Sequence, residues 1–230
     1  MKTTAMCCVL LLFWLPLSYG QTTTTYGGAG SFRIGYANLH QVSRVLAPFT
    51  PPTLAPLGTS FVCIGGEGYA RLNKYLIGGG GYGMARRTLA LNTIHAEPFS
   101  GGGFLQAGRI ILDQPRFWLY PTLGAGFSAI GLTQYEQAPT GEHLNERTVM
   151  LTNVNVHLGL GIDWLAVRVD SDDRERYGGV LIGLRLGYQL SPLVSNWQGD
   201  DGGMAREEPR YATNGYFVTL TIGAGGFIRR

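Results

Sequence analysis

Hydrophobic and polar positions alternate with a period of two over much of this chain. Val180, Ile182, Leu184, Leu186, Tyr188 and Leu190 are interleaved with Leu181, Gly183, Arg185, Gly187 and Gln189. One face is greasy and the other small or polar, the mark of a strand with two unlike sides. The same division runs through Thr152–Trp164, Phe117–Ser128 and Tyr216–Gly225. With weaker alternation in the first half, the pattern predicts eight strands: Ser31–Asn38, Thr59–Arg71, Lys74–Arg86, Gly102–Leu112, Phe117–Ile130, Thr148–Val167, Gly179–Leu190 and Gly215–Phe227. Most are long enough to cross a bilayer, for which about ten tilted residues suffice.

The connections between these strands sharpen the picture. Strands two and three are joined by "LNK" around Asn73, four and five by "DQPR", six and seven by "DSDDRERY". The others, Leu39–Gly58, Arg87–Gly101, Gly131–Arg147 and Ser191–Asn214, are long. Long and short alternate without a break, as they do in an outer-membrane barrel with both termini in the periplasm, long loops outside and short turns inside. Aromatic residues fall at both sets of strand ends, where a membrane barrel carries its girdles. Tyr69, Tyr75, Phe117, Trp118, Trp164, Tyr177 and Phe227 lie toward the short turns, and Phe61, Tyr82, Phe104, Phe127, Tyr188 and Tyr216 toward the long loops.

The first twenty residues read as a secretory signal peptide: one Lys, an apolar run from Met6 to Leu17, and small residues Ser18 and Gly20 before a cut. Residues 21–230 are then the mature barrel with a short N-terminal segment. Cys7 and Cys8 leave with the signal, so Cys63 remains without an intramolecular partner. Composition points the same way. Charged residues make up 14% of the chain, against about 25% in a soluble domain. The net charge of +3 gives no argument for nucleic acid.

Glycine is abundant, with 35 of 230 residues, and Gly78, Gly80 and Gly83 match the Gly-x-Gly-x-x-Gly of dinucleotide sites. That motif needs a helix next and an acid about twenty residues on. Glu97 has the spacing, but "MARRTLALNTIHAE" carries no clean helical stripe, and "GGEGYARLNKYLIGGGGYG" is nearly symmetrical about Asn73, as a hairpin is. The glycines are expected instead to let strands coil tightly and to leave room for large side chains opposite them.

With its strand count, its loop alternation and glycine-rich strands such as "GLRLGYQLSP" and "GYFVTLTIGAGGF", the chain resembles the small eight-stranded outer-membrane β-barrel proteins of Gram-negative bacteria, of the OmpA and OmpX type, over Ser31–Phe227. The resemblance implies an all-β, antiparallel, up-and-down transmembrane barrel in the outer membrane. It implies as partners the outer-membrane lipid and the barrel-assembly machinery, which reads a terminal aromatic residue. Here Phe227 is followed by Ile228, Arg229 and Arg230.

By parity Arg33, Glu67, Asn153, Asn155, His157, Asp163, Arg185 and Gln189, with Thr219 and Thr221, point into the lumen. An eight-stranded interior is just wide enough for side chains to fill, so the expectation is a paired polar plug. A narrow ion path or ligand site is the alternative. For function the pattern favours a structural or surface-binding role through the extracellular loops, toward an extracellular ligand or envelope protein that the sequence does not name. A lipid-modifying enzyme is weaker, because Ser128 and His157 face inward and the outward positions beside them are inert. His40, His95 and His143 carry no spacing that suggests a metal, and no cofactor is expected. A soluble lipocalin-like carrier would need charge on its outer face, which these strands do not supply.

Overall fold

The computed structural model describes residues 24–39, 58–85, 89–91, 94–137, 143–170, 175–192, 198–199 and 214–229. The expected signal peptide lies outside them, as do His40 and most of Ser191–Asn214. Among the described residues the chain forms eleven strands: β1 (Thr25–Leu39), β2 (Ser60–Leu72), β3 (Tyr75–Ala85), β4 (Leu89–Leu91), β5 (Ile94–Arg109), β6 (Leu112–Gln114), β7 (Phe117–Gln137), β8 (His143–Asp170), β9 (Arg176–Leu190), β10 (Gln198–Gly199) and β11 (Gly215–Arg229). Eight of them close a ring of antiparallel neighbours in the order β1, β2, β3, β5, β7, β8, β9, β11, with β11 returning to β1. The short strands β4, β6 and β10 add to β5, β7 and β8. This is the all-β, eight-stranded, up-and-down barrel that the alternation predicts.

Closure fixes the tilt. From Ala29 the register passes through Tyr69, Gly78, Gln106, Gly124, His157, Gln189 and Gly215 and meets β1 again at Leu39, ten residues further on. A shear of that size over eight strands tilts them by roughly 40°, within the usual range. The exposed Tyr26 and Tyr36 are ten residues apart on β1. At about 3.3 Å per residue and that tilt, they bracket about 25 Å of height, the thickness of the apolar band of a transmembrane barrel.

Several boundaries move. Strand one begins at Thr25 rather than Ser31, because Gly27, Gly28 and Gly30 erase the alternation while the backbone still pairs with Arg229 through Gly223. The expected connections Arg87–Gly101 and Gly131–Arg147 are largely strand: β7 and β8 stay paired from Gly131 with Met150 to Gln137 with His143, past the row where β3 ends at Ala85. There the outward positions turn polar, with Thr133 and Thr148 hydroxyls 3.1 Å apart and the Tyr135 hydroxyl donating to Glu97 at 2.9 Å. The greasy face that marks a lipid-facing strand is gone, so the pattern resembles a loop. The "LNK" hairpin is tight: Leu72 pairs with Tyr75, and Asn73 takes a φ of 59°, a left-handed conformation that Asn tolerates.

The glycines divide into two sets. Inward glycines face the largest lumen side chains in register: Gly78 pairs with Tyr69, Gly126 with Phe104, Gly161 with Tyr120 and Gly187 with Phe217. A Cβ at Gly161 would run into the Tyr120 ring, and one at Gly183 would lie 2.7 Å from Arg185 Nη1. Some outward glycines are different, since a Cβ at Gly30, Gly83 or Gly226 meets nothing within 4 Å, whereas one at Gly79 would lie 2.6 Å from the Phe104 carbonyl. Gly161→Ala is therefore expected to destabilise by about 1–3 kcal/mol through overpacking, with Gly83→Ala within about 0.5 kcal/mol of the parent. Denaturant unfolding of the two variants in lipid vesicles checks this, and equal effects would mean the lumen is loosely packed.

The aromatic girdles need correction. Trp118 and Phe227 are buried inside the barrel, with ring centroids 5.2 Å apart, and Tyr177 packs on Phe227. Tyr69, Phe61 and Phe104 also turn inward. The exposed rings are Tyr26, Tyr75 and Trp164 toward the short turns and Tyr36, Phe127 and Tyr216 toward the other end. Position along a strand placed the rings at the right heights, but parity decides the face.

Candidate functional site

Every polar residue expected in the lumen has its side chain buried there: Arg33, Glu67, Asn153, Asn155, His157, Asp163, Arg185, Gln189, Thr219 and Thr221. They lie on β1, β2, β7-facing β8, β9 and β11, so only ring closure brings them together. Arg185 is the hub. Its Nε donates to Glu67 Oε1 at 2.6 Å, and its Nη1 lies 2.7 Å from Asp163 Oδ1 and donates to the Ile162 carbonyl at 2.9 Å. Asp163 also accepts the hydroxyls of Tyr69 at 2.7 Å and Tyr120 at 2.8 Å. Arg33 reaches the other oxygen of Glu67 at 3.5 Å, its guanidinium lying over the rings of Phe104 and Phe217 at 5.4 and 5.5 Å. Two guanidinium groups thus balance two carboxylates, the arrangement that buried charge requires.

A second polar set sits toward the long-connection end. The Ser128 hydroxyl accepts from Asn155 at 2.7 Å and from Gln189 at 3.4 Å, Ser191 donates to Asn155, and Tyr82 donates to Gln189 at 3.1 Å. Between the two sets is a cavity of about 30 Å³ lined by Arg33, Glu67, His157, Arg185 and Gln189 among others. It has room for about two water molecules. Arg33 Nε and His157 Nε2 have no partner among the described residues, and a water there would satisfy them. His157 stacks near Phe104 and Phe217 and makes no bond to Ser128. Asn153 is buried but joins neither set, and its amide finds no partner among the described residues.

Apolar layers close the polar interior on both sides. Leu76, Ile110, Trp118, Leu165, Leu181 and Phe227 fill the short-turn end. Phe61, Met84, Ala96, Ile130, Leu132, Val149 and Leu151 fill the other. Parity in the sequence places Tyr69, Tyr120 and Ser128 inside without their partners; it missed Tyr82, Ser191 and Arg71, which pairs with Asp113 at 2.6 Å beneath Trp118. Parity could place these residues inside, but nothing local says which of them meet across the ring.

The outer surface reverses the rule for a soluble protein. Leu105, Phe127, Ile77, Leu220 and Ile222 are each more than half exposed, within a continuous belt that includes Phe32, Ile64, Val154, Ile182 and Val218. Beyond the belt the ends differ in charge. At the short-turn rim, described cations outnumber acids by six (Lys74, Arg109, Arg116, Arg168, Arg176, Arg229) to three (Asp113, Asp170, Glu175). The described acids Glu97, Glu136 and Glu146 lie at the other end beside Arg147.

An eight-stranded antiparallel barrel with apolar side chains outside and a polar, side-chain-filled interior is a barrel of the outer-membrane type. No protein-family model and no curated protein matches the chain. Among solved structures it is similar to Ail, the attachment invasion locus protein of Yersinia pestis, at 14% identity over 87% of this chain and 99% of that one, with a TM-score of 0.39. OprG from Pseudomonas aeruginosa, an outer-membrane protein, is similar at 10% identity over 91% and 98%, with a TM-score of 0.41. Neisserial surface protein A is similar at 12% identity over 89% and 96%, with a TM-score of 0.34. At these identities the likeness concerns the fold alone.

Proposed function

We propose that the protein is an integral outer-membrane β-barrel whose lumen is a structural plug and whose work is binding or structural, done by its long connections at the cell surface. The apolar belt carries this reading. A band of exposed Leu, Ile, Val and Phe about 25 Å high would aggregate in water, and lipid is the solvent that removes its cost. The paired charges and the two apolar layers support a closed interior. Catalysis is disfavoured because the Ser128 hydroxyl is engaged by Asn155 and Gln189 and makes no bond to His157. The expected orientation puts the short turns in the periplasm and the long connections outside.

Extraction of the chain from cell envelopes, with heat-dependent gel mobility, tests the barrel. Cysteine placed at Gly202 is expected to react with an impermeant label on whole cells, and cysteine at Asn73 is not; the reverse would invert the topology. In planar bilayers the purified protein is expected to show at most rare, small openings. Large, stable and frequent conductance steps would make Arg33, Glu67 and Arg185 pore-lining residues and defeat the plug.

A further inference from the structure

The lipid-facing wall is not uniform. At the short-turn end, β8, β9, β11 and β1 form an open groove of about 660 Å³, a volume within the range of small-ligand sites. Its floor is backbone, where Gly178 of β9 lies in register with Gly226 of β11. Tyr26, Val169 and Ile228 stand around it, and Val169 and Tyr26 are 63% and 46% exposed. Arg176, in register with Ile228, closes the rim side. Asp170 also lines the groove, but its carboxylate is taken by Arg168 at 2.6 Å. Arg71 is likewise held by Asp113. Arg176 is exposed and has no ion-pair partner among the described residues.

We propose that this groove is a site for one anionic phospholipid of the leaflet on the short-turn side, with an acyl chain along the Gly178–Gly226 floor and the phosphate on Arg176. The inference rests on the membrane reading above. An apolar groove open to the bilayer is filled by an acyl chain or by another protein wall. A second copy, inserted in the same orientation, would bring a second basic rim beside the first, and like charges oppose it. A phosphate offers a planar guanidinium two charge-assisted hydrogen bonds, and the cationic excess of the rim favours a lipid with net negative charge over a zwitterionic one.

Native mass spectrometry of the barrel released from vesicles of phosphatidylethanolamine with a minor share of phosphatidylglycerol tests the site. The parent is expected to retain one phosphatidylglycerol, well above its share of the mixture. Arg176→Glu should lower that retention about tenfold or more. Gly226→Leu should abolish it while heat-dependent mobility stays intact, since a Cβ there meets nothing within 4 Å. Arg109→Glu, at the end of β5 on the opposite side of the ring, should leave it unchanged. An equal loss with Arg109→Glu would mean that only the overall rim charge matters. Retention of both lipids in their mixing ratio, or of a lipid-free dimer, would also overturn the site. A chain that does not insert into vesicles would instead defeat the membrane reading, so the two failures are distinguishable.

Discussion

Arg185→Leu is expected to cost about 3–5 kcal/mol of stability, the penalty for removing one partner from a buried ion cluster. Arg185 meets Glu67 and Asp163 at 2.6 and 2.7 Å, and all three side chains are nearly inaccessible. Without it Asp163 keeps its two tyrosine hydroxyls, and Glu67 keeps only the longer contact to Arg33 at 3.5 Å. Two carboxylates would then share one cation in an interior with room for only about two waters. Neutralising one acid at the same time, Arg185→Leu with Asp163→Asn, leaves Arg33 and Glu67 as a balanced pair and should return part of the loss. Arg185→Lys should fall between, because an ammonium cannot present the fork that spans two acids. Urea unfolding in lipid vesicles, read as a double-mutant cycle, provides the numbers. A stable Arg185→Leu protein would mean that water reaches these acids and that the lumen is open.

The second large effect belongs to the outside. Leu220 is 59% exposed and stands in register with Leu184, near the middle of the belt. Leu220→Arg is expected to destabilise the barrel in a bilayer by about 2–4 kcal/mol, the cost of arginine at mid-depth on a lipid-facing strand. Ile228→Arg, at the rim beside Arg176, should cost about 0–1 kcal/mol. The depth dependence is the informative part. If both positions tolerate arginine equally, the belt does not face lipid, and the proposal of an outer-membrane barrel falls with it.

Much of this fold was legible because a barrel wall imposes period two on each strand and asks little of distant sequence. Leu184 and Arg185 announce opposite faces by adjacency alone. The lumen set was legible for the same reason, since parity carries Arg33, Glu67 and Arg185 inside without knowledge of their neighbours. Their pairing was not. Arg185 and Glu67 are 118 residues apart, and which acid meets which base is settled by shear, a property of the closed ring. Strand ends were lost wherever the face contrast faded, into glycine at Gly27 and Gly28 and into polar outward residues at Thr133 and Glu146. Phe61 and Phe227 were misplaced in the girdle because height along a strand says nothing of face. The groove beside Arg176 was invisible in sequence, since its floor joins glycines from strands that meet only after folding.

The extra pairs of β7 and β8 make the barrel's outer edge uneven. From Gly131 to Gln137 the hairpin rises past the end of β3, by about 20 Å of strand. In the proposed orientation it stands above the outer end of β3. A large partner approaching from outside would touch its crest before any other described part of the molecule. Binding of an antibody to a tag placed on this crest should therefore depend on the length of the hairpin, and shortening it by whole pairs would lower the point of first contact while leaving the ring below untouched.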